Sequence, residues 1–138
     1  MYYVRNKYST AKKIRIGDRT YDSKFEGGIA NEYILDKATR KIKNFEPQVT
    51  LDLICNGYVI GTYRIDFVVY HNDGDVELVE AKGLPSPEWK MKWKVLETMV
   101  NTNHQYLVDK FGKGININMT LIKQRSNWQL KNIKKYNN

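Results

Sequence analysis

The chain has 138 residues and a mass of 16.2 kDa, 41% hydrophobic and 28% charged, with a net charge of +8 and a pI near 9.5. That length fits one domain with a core of its own, and the basic balance points to a polyanionic partner. Cys55 is the single cysteine, which excludes an internal disulfide framework and a thiolate zinc site. His71 and His104 stand too far apart for a His-rich metal motif. No apolar run approaches the roughly 20 residues of a membrane span, and the basic N-terminus lacks the apolar stretch of a secretory signal.

In chain order, residues 12–21 predict a short hairpin, with Ile14 and Ile16 before Gly17-Asp18 and Thr20-Tyr21 after it. Residues 23–43 predict a helix whose apolar stripe combines Phe25, Ile29, Tyr33, Ala30, Ile34, Ala38 and Ile42. Gly27 and Gly28 each cost that helix about 1 kcal/mol relative to Ala, and the pair hints at close approach of another backbone. Residues 47–55 predict a strand, Asn56-Gly57 a tight hairpin turn, and residues 58–70 a long strand with a bend at Gly61. Asn72-Asp73-Gly74 predicts a second turn and residues 75–82 a third strand. Ser86-Pro87-Glu88 has the cap, first-position proline and early acid of a helix start, and that helix runs to about Val100. Residues 104–111 predict a further short helix, residues 115–122 a strand, and residues 126–135 a basic C-terminal helix capped by Ser126. The order predicts a mixed α/β fold with an antiparallel meander at its centre.

Charge is unevenly placed. Residues 1–24 carry net +5, residues 25–82 net −4 and residues 83–138 net +7. Two basic flanks around an acidic middle suit a phosphate-binding rim around an acidic pocket, because Lys and Arg displace counterions from nucleic acid. Simple solvation also explains basic flanks. An acidic cluster inside a nucleic-acid binder makes sense if a divalent cation occupies it.

Within the acidic middle, Glu80 and Lys82 share a face of the third meander strand by period two. Pairing about the 72–74 turn sets Asp66 opposite a residue near Glu80. Both carboxylates have apolar sequence neighbours, and burying an unpaired carboxylate is costly. Lys82 neutralises them as an ion pair, or a hard divalent cation does, bound by two carboxylates and completed by waters. Glu26 fits the third helical position of a capping box opened by Ser23, and it also borders the buried stripe, within reach of the acidic face. Gln48 begins the first meander strand; it reads either as an ordinary strand residue or as a hydrogen-bond partner for the carboxylates.

The arrangement Asp66, then Glu80-Ala81-Lys82, resembles the D…(D/E)-x-K motif of the PD-(D/E)XK nuclease superfamily. Asp22-Ser23-Lys24-Phe25-Glu26 on the upstream helix, the Gln48 strand, Tyr63-Arg64-Ile65-Asp66-Phe67 and Glu80-Ala81-Lys82-Gly83 are similar to small stand-alone phage-encoded members and to junction-resolving endonucleases of that fold. The likeness spans roughly residues 20–95. Ile65 stands where the motif's naming proline would be; many members lack that proline.

The resemblance implies a restriction-endonuclease-like mixed sheet flanked by helices, filling one domain over residues 1–138. Residues 1–13 form a basic arm, residues 20–100 the catalytic core and residues 126–138 a basic C-terminal helix. It implies a Mg²⁺-dependent hydrolase, Mn²⁺ substituting, that cleaves DNA as an endonuclease. The setting it implies is the cytoplasm of a phage-infected or prophage-carrying bacterium. Asp66 and Glu80 would hold the metal with the Ala81 carbonyl, Lys82 would place the water or steady the phosphorane charge, Glu26 would serve a second metal or orient a water, and Gln48 would support the site.

Two alternatives stay open: a Holliday-junction resolvase, which needs a homodimer, and an inactive DNA-binding accessory protein. A targeting partner protein is compatible with each. Trp89-Lys90-Met91-Lys92-Trp93-Lys94 interleaves aromatics with lysines. At least one tryptophan reads as core, and Lys90, Lys92 and Lys94 are candidate DNA contacts. Lys12, Lys13 and Arg15, with Lys131, Lys134 and Lys135, are candidate backbone contacts, or solvated chain ends. Cys55 reads as a buried small hydrophobe rather than a nucleophile.

Overall fold

A computed structural model describes residues 13–82, 85–123 and 134–137, with backbone alone at residue 82 and at residues 134–137. Among the described residues there are seven strands and three helices: β1 (Ile14–Ile16), β2 (Arg19–Tyr21), α1 (Lys24–Ala38), β3 (Asn44–Cys55), β4 (Tyr58–Tyr70), β5 (Val76–Lys82), α2 (Pro87–Asn101), α3 (Gln105–Phe111), β6 (Ile117–Lys123) and β7 (Lys134–Asn137). β1 and β2 form a separate hairpin. The other five strands make one sheet in the order β3-β4-β5-β6-β7. The β3–β4–β5 meander is antiparallel, and β6 lies parallel to β5, a pairing that requires a long crossover. α2 and α3 provide it. The mixed α/β fold with a central antiparallel meander is therefore as the sequence predicts.

Local chemistry sets the ends of these elements. Ser23 is extended, and its hydroxyl accepts the Glu26 N–H at 3.1 Å, which caps α1. Ser86 accepts the Trp89 N–H in the same way ahead of Pro87. Asn56 and Gly57 both have positive φ, 50° and 81°, as a two-residue hairpin turn requires. The bend expected at Gly61 is a bulge: Leu53 pairs with Gly61 but Ile54 with Val59, so Ile60 is the extra residue.

α1 is shorter than expected. It stops at Ala38, and the chain turns through Arg40 at φ 61°. The Asn72 side chain fastens that turn by donating to the Arg40 carbonyl at 3.0 Å. Ile42 is buried from the turn rather than from the helix, while Ile34 is 43% exposed and Ala38 lies in solvent. Only one of the two glycines marks a close approach. A Cβ on Gly27 would lie 2.4 Å from Ile14 Cγ2, whereas one on Gly28 would meet nothing within 4 Å. Gly27 thus admits a side chain of β1, not a backbone.

The sheet is covered on both faces. Ile29, Ala30 and Tyr33 of α1, with Tyr21, pack on Phe67, Val69, Val79 and Ile122. Trp93, Leu96 and Met99 of α2 and Leu107 of α3 pack on Leu51, Leu53, Tyr63, Ile65, Val68, Leu78 and Met119. Two sequence expectations are corrected. Residues Lys134 and Lys135 lie in β7, antiparallel to β6, not in a helix; pairing with β6 offers them ladder hydrogen bonds that local propensity does not register. Cys55 is exposed, because the β3–β4 hairpin runs on past the helices that cover its base. No helix among the described residues is long and apolar enough to cross a membrane.

Candidate active site

The site forms where β4 leaves β5. Their last registered pair is Phe67 with Val79. One step further, the Ala81 N–H donates to Asp66 Oδ2 at 2.8 Å. Asp66 is half-buried and Glu80, on the neighbouring strand, is 6% exposed. Asp66 and Glu80 thus lie on neighbouring strands at a strand divergence, Asp66 with an oxygen held by backbone.

The divergence has a cause in both strands. Side chains of a regular strand alternate faces, yet in β4 Tyr63 and Ile65 join the α2 side while Phe67 and Val69 join the α1 side. The alternation switches at Asp66. Across from it in β3, Gln48 holds φ at 56°, between the pairs Pro47–Phe67 and Val49–Ile65. Left-handed backbone at a non-glycine residue costs about 1–2 kcal/mol, and here it accompanies the twist that brings Asp66 to the boundary between the two cores. The Gln48 side-chain Nε2 lies 3.5 Å from the Thr20 carbonyl on β2.

Tyr63 was not singled out in the sequence, because its place depends on this twist. Its ring is 4% exposed and its hydroxyl accepts the Trp89 indole N–H. Burial first, then the charge of Glu80 and a hydrogen bond to that carboxylate, hold its pKa far above the usual phenol value. The chain Trp89–Tyr63–Glu80 therefore joins α2 to the buried carboxylate. Beside it runs a groove of about 260 Å³ lined by Thr62, Tyr63, Arg64, Glu80, Ser86, Glu88, Trp89 and Lys92.

Glu26 is half-buried in the first turn of α1. Its position is felt by Tyr21, whose pKa is raised by burial and, more weakly, by the charges of Asp18 and Glu26; Tyr21 stacks on Phe67 with centroids 6.1 Å apart. Among the described residues, no three Asp, Glu, His or Cys side chains cluster closely enough to hold one ion. Two carboxylates from adjacent strands are nonetheless the hard-oxygen donor set that Mg²⁺ takes, since it keeps several waters and adds substrate phosphate oxygens. The residues present fit such an ion through Asp66 and Glu80.

Register sets the backbone of Lys82 beside that of Lys123 across β5 and β6, and Lys123 beside Lys134 across β6 and β7; the Lys123 side chain is exposed. Lys90 and Lys94 on α2 are exposed, as are Lys13 and Arg15 near β1. Lys92 is partly exposed and ion-paired to Glu88 at 3.6 Å. Lys12 and Lys131 lie outside the described residues.

The profile of one family, described as "Protein of unknown function (DUF1064)", matches residues 5–134. No curated protein and no solved structure matches the sequence.

Proposed function

We propose that this chain, which belongs to the DUF1064 family, is an endonuclease of the PD-(D/E)XK type that hydrolyses DNA phosphodiester bonds with Mg²⁺. The observation that carries the reading is the pairing of Asp66, pinned by the Ala81 N–H, with the buried Glu80 where two strands part. Asp66 and Glu80 would hold the ion, joined by the Ala81 carbonyl. A bound Mg²⁺ supplies charge neutralisation at the phosphate and a more acidic water. Lys123, exposed at the end of β6 beside the backbone of Lys82, offers a cation that draws the phosphate backbone to the sheet end. Lys82, two positions on from Glu80, positions the attacking water or steadies charge on the phosphoryl oxygens. The water oxygen forms the new bond to phosphorus as the bond to the leaving sugar oxygen breaks, and that oxygen takes up a proton.

The test is cleavage of supercoiled plasmid, linear duplex, single strand and a four-way junction with Mg²⁺, Mn²⁺ or EDTA. Metal-dependent cleavage is expected, falling by about 10²-fold or more in Asp66→Ala and in Lys82→Ala. Wild-type protein that binds DNA yet cleaves none of the four under either metal would overturn the enzyme reading in favour of an accessory binder. Preference for the junction together with a stable dimer in light scattering would make the enzyme a resolvase.

A further inference from the structure

The groove beside Glu80 contains more than a metal-binding carboxylate requires. One wall is the indole of Trp89, partly buried, stacked on Trp93 with centroids 5.5 Å apart and planes 30° apart. Its ring nitrogen donates to Tyr63, and Tyr63 packs on Trp93 at 6.1 Å. Two neighbours therefore fix the plane of the indole before any ligand arrives, so little ordering is left to oppose binding. Trp93 is 6% exposed within the core. Trp89 packs against that core and also lines the groove that opens onto Glu80.

Size and charge narrow what the groove accepts. At about 260 Å³ it falls below the roughly 300–1,000 Å³ of pockets that enclose a whole drug-sized ligand; it has room for one base and not for a base pair. Arg64 is exposed on the β4 side, and Lys92 stands on the α2 side. The Lys92–Glu88 bridge spans one helical turn with Glu88 80% exposed, and such exposed pairs are weak enough for a phosphate to displace. An aromatic wall between two cations is the arrangement that holds a single-stranded nucleotide: the base stacks and the backbone phosphates meet the charges.

We infer that Trp89 is a stacking platform for one unpaired base, so that the substrate is DNA carrying an unpaired nucleotide next to the cleaved phosphate. This rests on the nuclease reading of Asp66 and Glu80 and adds the substrate class. An intact duplex keeps its bases stacked on one another and cannot fill the groove. A bulge, a flap or a branch point supplies a base whose unstacking is already done.

The experiment is equilibrium binding of the full chain in EDTA, where no cleavage occurs. The probes are three duplexes differing at one position: a bulged 2-aminopurine nucleotide, a bulged abasic nucleotide, and no bulge. Wild-type protein is expected to bind the bulged base about five- to a hundredfold tighter than the abasic bulge, the range of one base–aromatic stack, and to quench the 2-aminopurine fluorescence. Trp89→Leu removes that difference and Trp89→Phe retains part of it. Equal binding of all three probes by the wild type overturns the inference without using any variant, and so does a base preference that survives Trp89→Leu. Equal binding with metal-dependent cleavage intact leaves the nuclease reading standing. Base preference without cleavage in Mg²⁺ overturns the nuclease reading and leaves the platform.

Discussion

Gln48 and Tyr63 carry the arguments that belong to single residues. At Gln48 the backbone is left-handed and the side-chain Nε2 lies 3.5 Å from the Thr20 carbonyl, and two variants separate the φ angle from the amide. Gln48→Gly is expected to keep DNA cleavage and hold or raise stability by up to about 1 kcal/mol, since glycine adopts this conformation freely. Gln48→Val should lose about 1–2 kcal/mol and cleavage with it, because a β-branched side chain resists positive φ. Urea unfolding beside a plasmid assay reads both. Loss of cleavage in Gln48→Gly at full stability would return the role to the amide. At Tyr63, replacement by Phe takes the acceptor from the Trp89 indole N–H. Stability should fall by about 0.5–1.5 kcal/mol in the same unfolding assay, the net worth of one part-buried hydrogen bond. Asp66 and Glu80 were legible in the sequence, since apolar neighbours made their charge an anomaly. Tyr63 was not, because nothing in the pattern around it shows that β4 switches faces three residues later.

At the scale of elements, α1 is held by a narrow stripe and by its fit to the β1–β2 hairpin. Gly27 and Gly28 are neighbours with opposite duties. Gly28→Ala should stabilise by about 0.5–1 kcal/mol through helix propensity alone. Gly27→Ala should destabilise, because its Cβ would meet Ile14 at 2.4 Å and push the hairpin away. Thermal melts of the two variants should move in opposite directions. Tyr33 gives a second test on the same helix. Its hydroxyl is buried with no hydrogen-bond partner among the described residues, and Tyr33→Phe should hold stability or raise it by about 1 kcal/mol. Element types and turns were legible from Asn56-Gly57, Ser86-Pro87 and the alternating strands. The end of α1 was not, because a side chain far along the chain, Asn72, fixes the turn after it. The C-terminal strand was also out of reach, because β7 exists only through its pairing with β6.

For the molecule as a whole, buried tyrosines on both faces of the sheet set an alkaline limit. Burial raises the pKa of Tyr33 and of Tyr63 far above the unfolded value near 10. Below pH 10 both states keep these protons and stability is unaffected. Above it the unfolded chain loses protons that the folded chain retains, so stability falls with rising pH. Each such retained proton gives a slope of about 1.4 kcal/mol per pH unit, and Tyr70 and Tyr21 are raised as well. Urea midpoints between pH 8 and 11 should show a plateau and then a decline, and Tyr33→Phe should make that decline shallower.

Basic flanks around an acidic centre, the order of most helices and strands and the placing of Asp66 and Glu80 on neighbouring strands follow from local pattern, because hydrophobic period, turn chemistry and charge act over a few residues. The twist at Gln48 and Asp66, the Trp89–Tyr63–Glu80 chain and the register of β5 with β6 and of β6 with β7 were decided by the tertiary structure. Each depends on register between strands distant in sequence, and register is set by how two cores pack against one sheet.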